Sequence, residues 1–168
     1  MAISVYDQTV PVFSSMLANL AALLAKAEAD AAARKIDPAV FLNARLAPDM
    51  FHLIRQVQIA SDMAKNGLAR LAGVEVPKWA DDEQTFADLD RRVRKTRDYV
   101  ESFKASQFEG AETRTIELKL GPTTRTFTGQ SYLLSFVIPN LYFHITTAYA
   151  ILRHNGVQIG KGDFLPKA

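Results

Sequence analysis

From Phe127 to Leu152 the chain carries no aspartate, glutamate, lysine or arginine, and this run constrains the fold more than any other feature. An uncharged segment of that length either spans a bilayer or lies at the centre of a bundle, covered by neighbours on most sides. Its polar residues favour the bundle. Gln130, Ser131, Ser135, Asn140, His144, Thr146 and Thr147 are spread along it, and Pro139 interrupts it; polar groups oppose insertion into lipid. The run is expected to form a long central helix from about Gln130 to His154, stopped by Asn155-Gly156.

Three further long helices can be read from capping and spacing. The first starts at Ser4 or at Thr9 and ends near Ala33. Ser4 with Asp7 forms the acidic variant of a capping box, whereas Pro11 would suit a first turn. Val12, Met16, Leu20, Leu23, Leu24 and Ala27 recur at helical spacing. Asp37-Pro38 is an N-cap followed by a first-turn proline, predicting a short turn over Pro38 to Leu42. Pro48 is expected to open the second long helix and Gly73 to end it. Its stripe is Met50, Ile54, Val57, Ser61, Ala64, Leu68 and Leu71. Thr85 with Asp88 opens the third, which runs to about Phe103 with acids crowding its start, where the helix dipole favours them.

Thr113 to Leu120 alternates polar and apolar residues, Gly121-Pro122 turns, and Thr123 to Thr128 follows. This predicts a surface β-hairpin between the third and fourth helices. Four apolar stripes and one small hairpin cannot build an α/β sheet. The expected class is all-α, a four-helix bundle in one domain over residues 1–168. The tail beyond Val157 is expected to pack loosely or to lie along the bundle.

Composition removes several functions. With no cysteine there is no disulfide framework, thiol nucleophile or thiolate metal site. A net charge of +2 is too small to argue for nucleic acid or membrane as a partner. Arg91 to Arg97 is basic, but acids precede it and no aromatic residues interleave it, so it reads as a solvated helix face. Gly156 to Gly162 is one residue short of a phosphate loop and follows a helix, not a strand. The first residues lack the basic start and apolar run of a secretory signal, so cytoplasmic residence is the expectation.

The three histidines, His52, His144 and His154, are the remaining candidates for chemistry. His154, in a last helical turn, has a structural role as a cation near a helix C-terminus. His144 is set among Leu141, Tyr142, Phe143, Ile145, Ala148 and Tyr149, and Asn140 shares its helical face. Pro139 removes a backbone donor beside Asn140 and is expected to bend the helix there. Two readings follow. Asn140 and His144 satisfy each other and nearby tyrosines such as Tyr132, Tyr142 or Tyr149. Alternatively, with His52 from another helix, they form a bundle site of the kind that holds metals.

The run His144 to Gly156, with Leu152-Arg153 ahead of the terminal glycine, resembles the last helix of the DinB/YfiT-like metalloenzyme superfamily. His52 matches that family's first metal histidine. The segments Gln56 to Asp62, Ala69 to Gly73 and Pro139 to His144 resemble a branch catalogued as a domain of unknown function, over nearly the whole chain. The resemblance implies a metal site of one histidine on the second helix and two on the fourth. Here the positions are His52, His144 and, in place of the third histidine, Asn140, whose neutral oxygen suits zinc or nickel poorly. It implies a degenerate metal pocket and, if the ion is kept, a metal-assisted transferase or hydrolase. The alternative is a non-catalytic bundle, possible as a homodimer, that binds a small molecule or protein partner through the same cavity.

Overall fold

The computed structural model describes residues 3–165. Helix α1 (Val5–Arg34) takes the earlier of its two expected starts. The Ser4 hydroxyl accepts from the Asp7 amide at 3.1 Å, and the Asp7 carboxylate accepts from the Ser4 amide at 3.3 Å. This reciprocal pairing satisfies donors that the first turn leaves open, and Pro11 is then carried inside the helix on an exposed position. Helix α2 (Pro38–Leu42) follows the Asp37 cap as expected.

The second long helix departs from its expected start. Helix α3 (Leu53–Ala72) begins five residues after Pro48, with His52 as its N-cap. Pro48 instead occupies a tight turn closed by the Met50 amide on the Ala47 carbonyl at 3.0 Å, a position that suits its fixed φ. The Arg45 guanidinium donates to the Met50 carbonyl, and the Leu53 amide reaches back to Ala44 at 3.0 Å. The backbone bonds that a helical start would have made are thus met by a compact loop.

Helix α4 (Phe86–Glu101) starts from the Thr85–Asp88 capping box. The hairpin is present, β1 (Thr115–Leu120) pairing antiparallel with β2 (Thr123–Thr128), Ile116 opposite Phe127. Ile116 and Leu118 are buried while Glu117 and Lys119 face solvent, the alternation of a strand with one covered face. The uncharged run then forms one rod in three parts: α5 (Gly129–Tyr132), a π-helical turn (Leu133–Val137) and α6 (Ile138–His154). Pro139 lies in the first turn of α6, where no donor is required. The disturbance expected at the proline takes the form of the wide turn just before it.

The long helices close a ring in which α1 packs on α4, α4 on α3, α3 on α6 and α6 on α1. Phe13, Leu17, Leu20, Val57, Leu68, Leu89, Leu141, Ile145 and Ile151 fill its centre with essentially no exposed surface. Among the described residues α1 alone is long and apolar enough to cross a membrane by length and composition; here its apolar side is part of this core. The tail lies along the bundle. Val157 and Ile159 are buried, and beside α7 (Lys161–Phe164) the Asn19 amide donates to the Phe164 carbonyl at 2.9 Å and Lys26 pairs with Asp163 at 2.6 Å.

Candidate functional site

His144 lies midway along α6 where α3 packs against it, 8% exposed. Its Nδ1 is 2.7 Å from Oε1 of Gln56 on α3. The Gln56 amide is itself oriented, because its Nε2 donates to the Phe51 carbonyl at 3.0 Å, and a carbonyl can only accept. Gln56 therefore turns an acceptor towards the ring, so Nδ1 of His144 carries the proton and Nε2 keeps its lone pair. Among the described residues no group bonds to Nε2. Burial, reinforced by the charge of Arg55, lowers the pKa to about 4, and the ring is neutral throughout the physiological range.

His52 is placed differently. As N-cap of α3 it accepts the Arg55 amide on Nδ1 at 3.4 Å, a long bond that occupies that lone pair and leaves the proton on Nε2. Burial and the charges of Arg45 and Arg55 hold it below the ordinary histidine range. His52 and His144 thus share Arg55 as a charged neighbour but are not bonded to each other. Asn140, half-buried one turn before His144, donates to the Phe136 carbonyl of its own helix at 2.6 Å. The expected pairing of Asn140 and His144 with each other or with tyrosines is replaced by these partners; Tyr132 instead accepts from Arg70 at 3.2 Å. His154 is exposed in the last turn of α6.

A transition-metal ion requires lone pairs that converge on one point. His144 presents one lone pair, His52 has committed Nδ1 to a cap, and Asn140 offers at most an amide oxygen. Among the described residues no three histidine, cysteine, aspartate or glutamate side chains gather within reach of one ion. Two guanidinium charges act on the site as well, and they oppose a divalent cation. In this arrangement the donor set does not fit zinc or nickel, which need three or four convergent ligands.

The residue that sequence reasoning missed is Gln56. The available signal was its spacing: it falls one turn after His52 and shares a helical face with apolar Leu53 and Ala60. A larger omission is the polar network that continues along α3. Arg55 pairs with Asp81 and donates to Gln58 at 3.1 Å, and Gln58 donates to Glu83 at 2.9 Å. At the centre is Arg92 of α4, whose side chain is 2% exposed. It donates to the Ala80 carbonyl and Glu83 at 2.9 Å, to Asp62 at 3.1 Å and to Asp81 at 2.9 Å. Burial by itself would lower its pKa, but the hydrogen bond and charge of Glu83, with Asp62 and Asp81, raise it above the ordinary value. The basic cluster is a solvated face at Arg91, Arg94, Lys95 and Arg97, and not at Arg92.

The buried, neutral state of His144 has a consequence for stability. In the unfolded chain a histidine takes up a proton near pH 6.5, whereas folded His144 resists protonation down to about 4. Between those values the unfolded state binds more protons, so stability rises with pH. The contribution is complete above the unfolded value and is lost as pH falls towards 4, by about 3 kcal/mol in all. His52 adds a slope of the same sign. In urea unfolding across this window, His144→Gln, which cannot titrate, is expected to remove most of the slope. An unchanged slope would place the effect elsewhere.

Residues 5–165 match the family described as Domain of unknown function (DUF1993). A crystal structure of a DinB family member protein from Shewanella denitrificans superposes with a TM-score of 0.89 at 49% sequence identity, over 97% of this chain and 92% of that one. No curated protein matches the chain. The capped bundle, the hairpin before its last helix and the His144 helix accord with that fold, and the chain belongs to the DUF1993 family of DinB-like helical bundles.

Proposed function

We propose that this protein is a small-molecule-binding bundle in which neutral His144 accepts a hydrogen bond from its ligand. The observation that carries this reading is the chain Phe51 carbonyl, Gln56 amide, His144 ring, which fixes the tautomer and leaves Nε2 free to accept. Arg55, which acts on both histidines, is paired with Asp81, whereas Arg45 beside His52 pairs with no carboxylate among the described residues and favours a ligand that carries negative charge beside its donor group. Nitrogen-resolved NMR of the histidine side chains tests the reading directly. The expected spectrum has His144 neutral with its proton on Nδ1 at pH 7; a proton on Nε2 would leave no acceptor and end the proposal.

A second reading is favoured by the DinB kinship and by the tautomer, since a metal-bound histidine also donates its other ring nitrogen to a fixed acceptor. In that reading His52 leaves its cap and joins His144 and Asn140 around zinc or nickel, in a metal-assisted transferase or hydrolase. Metal analysis and titration of protein purified without a polyhistidine tag separate the two. Binding-module function predicts no stoichiometric transition metal. Stoichiometric metal that is lost in His144→Ala and kept in His154→Ala would establish the second reading instead. On the second reading alone, Asn140→His, which completes a three-histidine set, should raise zinc or nickel affinity by at least about tenfold.

A further inference from the structure

A cavity of about 560 Å³ lies away from His144, where the loop between α3 and α4 doubles back over the first turns of α4. That volume is in the range of small-molecule sites. Its walls include Lys78, Trp79 and Glu83 from the loop and Arg91, Arg92 and Lys95 from α4. The floor is rigid, because Arg92 is tied to the Ala80 carbonyl and to carboxylates on both α3 and the loop.

Charge pairing inside the cavity is uneven. Arg92 is neutralised by Glu83 together with Asp62 and Asp81, and Arg91 pairs with Asp88. Among the described residues no carboxylate pairs with Lys78 or Lys95. The Lys95 ammonium rests against the Trp79 ring instead, 4.4 Å from its centre, a contact weaker than a charge-assisted hydrogen bond. The ring does not depend on Lys95 for its position. Buried Lys65, itself paired with Asp62 at 3.1 Å, lies 4.5 Å from the ring centre, and Tyr99 meets the ring edge-on at 6.1 Å. Lys95 is therefore free to turn towards an incoming anion while the indole stays as a wall. Asp82 on the rim is exposed and solvated, and offsets only one of the two unpaired ammonium groups.

We infer that this cavity is a binding site for a small aromatic anion, a carboxylate or phosphate monoester whose acid group is held by Lys78 and Lys95 and whose ring packs against Trp79. It does not rest on the His144 reading, since the groups that would touch each ligand differ, although the Arg55–Asp81–Arg92 pairs join the two regions.

Trp79 is the single tryptophan of the sequence, so its emission reports this cavity alone. Titration of the full chain with phenyl phosphate, by fluorescence and by calorimetry, is expected to show saturable one-to-one binding. Inorganic phosphate should bind at least about tenfold more weakly, since it has no ring to bury. Lys95→Gln and Lys78→Gln should each weaken phenyl phosphate by about tenfold, whereas Lys119→Gln on the exposed hairpin should leave it unchanged. No saturable binding, equal affinity for inorganic phosphate, or affinity unaltered in both pocket variants would overturn the assignment. Loss of the same size in Lys119→Gln would reduce it to general charge attraction and overturn it as well.

Discussion

Replacing Arg92 with methionine is expected to destabilise the fold by about 3 kcal/mol. The guanidinium is almost wholly enclosed and answers Asp62, Asp81 and Glu83, which come from α3 and from the loop ahead of α4. Methionine fills similar space but leaves Glu83 without its cation, Asp62 and Asp81 with only Lys65 and Arg55 to answer them, and the Ala80 carbonyl without its donor. The loss is set at the lower end of the range for broken buried pairs, because Asp62 and Asp81 remain 26% and 38% exposed and can recover some hydration. Urea unfolding measures the change, and Trp79 emission should report release of the loop before the bundle unfolds. Arg94→Met, which removes an exposed partner of Asp90 two residues further on, is the matched control and should have little effect. Similar midpoints for the two variants would show that the Arg92 cluster is not holding the loop.

Gly129→Ala is expected to cost at least about 3 kcal/mol. A methyl group at this position would lie 1.7 Å from the Ala111 carbonyl oxygen, a backbone atom that cannot rotate away as a side chain can. The contact sits where the segment before β1 returns against the start of α5, and the neighbouring Gln130 amide bonds to the Glu112 carbonyl at 2.9 Å. Relief of the clash would have to separate these segments and with them the base of the hairpin. Gly162→Ala meets nothing within 4 Å and should change stability by no more than about 0.5 kcal/mol. Thermal or urea midpoints of the two variants test the contrast, and near-equal values would mean that the Ala111 segment moves at little cost.

The helix boundaries that could be read without the structure are those written into short segments. Ser4 with Asp7, Asp37 with Pro38 and Thr85 with Asp88 each complete their bonds within a few residues, so adjacent letters carry the information. The alternation of β1 and the turn at Gly121 are equally local. Pro48 shows where such reading fails. A proline suits a helix start and a tight turn equally well, and the choice was made by Arg45 and Ala44, which bond across the loop.

His144 illustrates the division at the candidate site. The uncharged run around it does not by itself cover the helix, since Leu134 and Phe143 of the same rod are 48% and 55% exposed; His144 is buried because it lies on the side that packs against α3. Nor does its partner follow from the sequence, because Gln56 is 88 residues away and nothing near either residue names the other. The same holds for Arg92, whose neighbours Arg91 and Arg94 are exposed. Residue order and helical period settled the class of fold, the four apolar stripes and the hairpin, because those depend on hydrophobic burial and on contacts within a turn or two. Which tautomer His144 holds, which arginine is buried and where the cavity beside Trp79 lies were decided only by tertiary packing. Hydrogen bonds and ion pairs act over a few ångströms of space, and the folded chain brings those distances about between residues far apart in sequence.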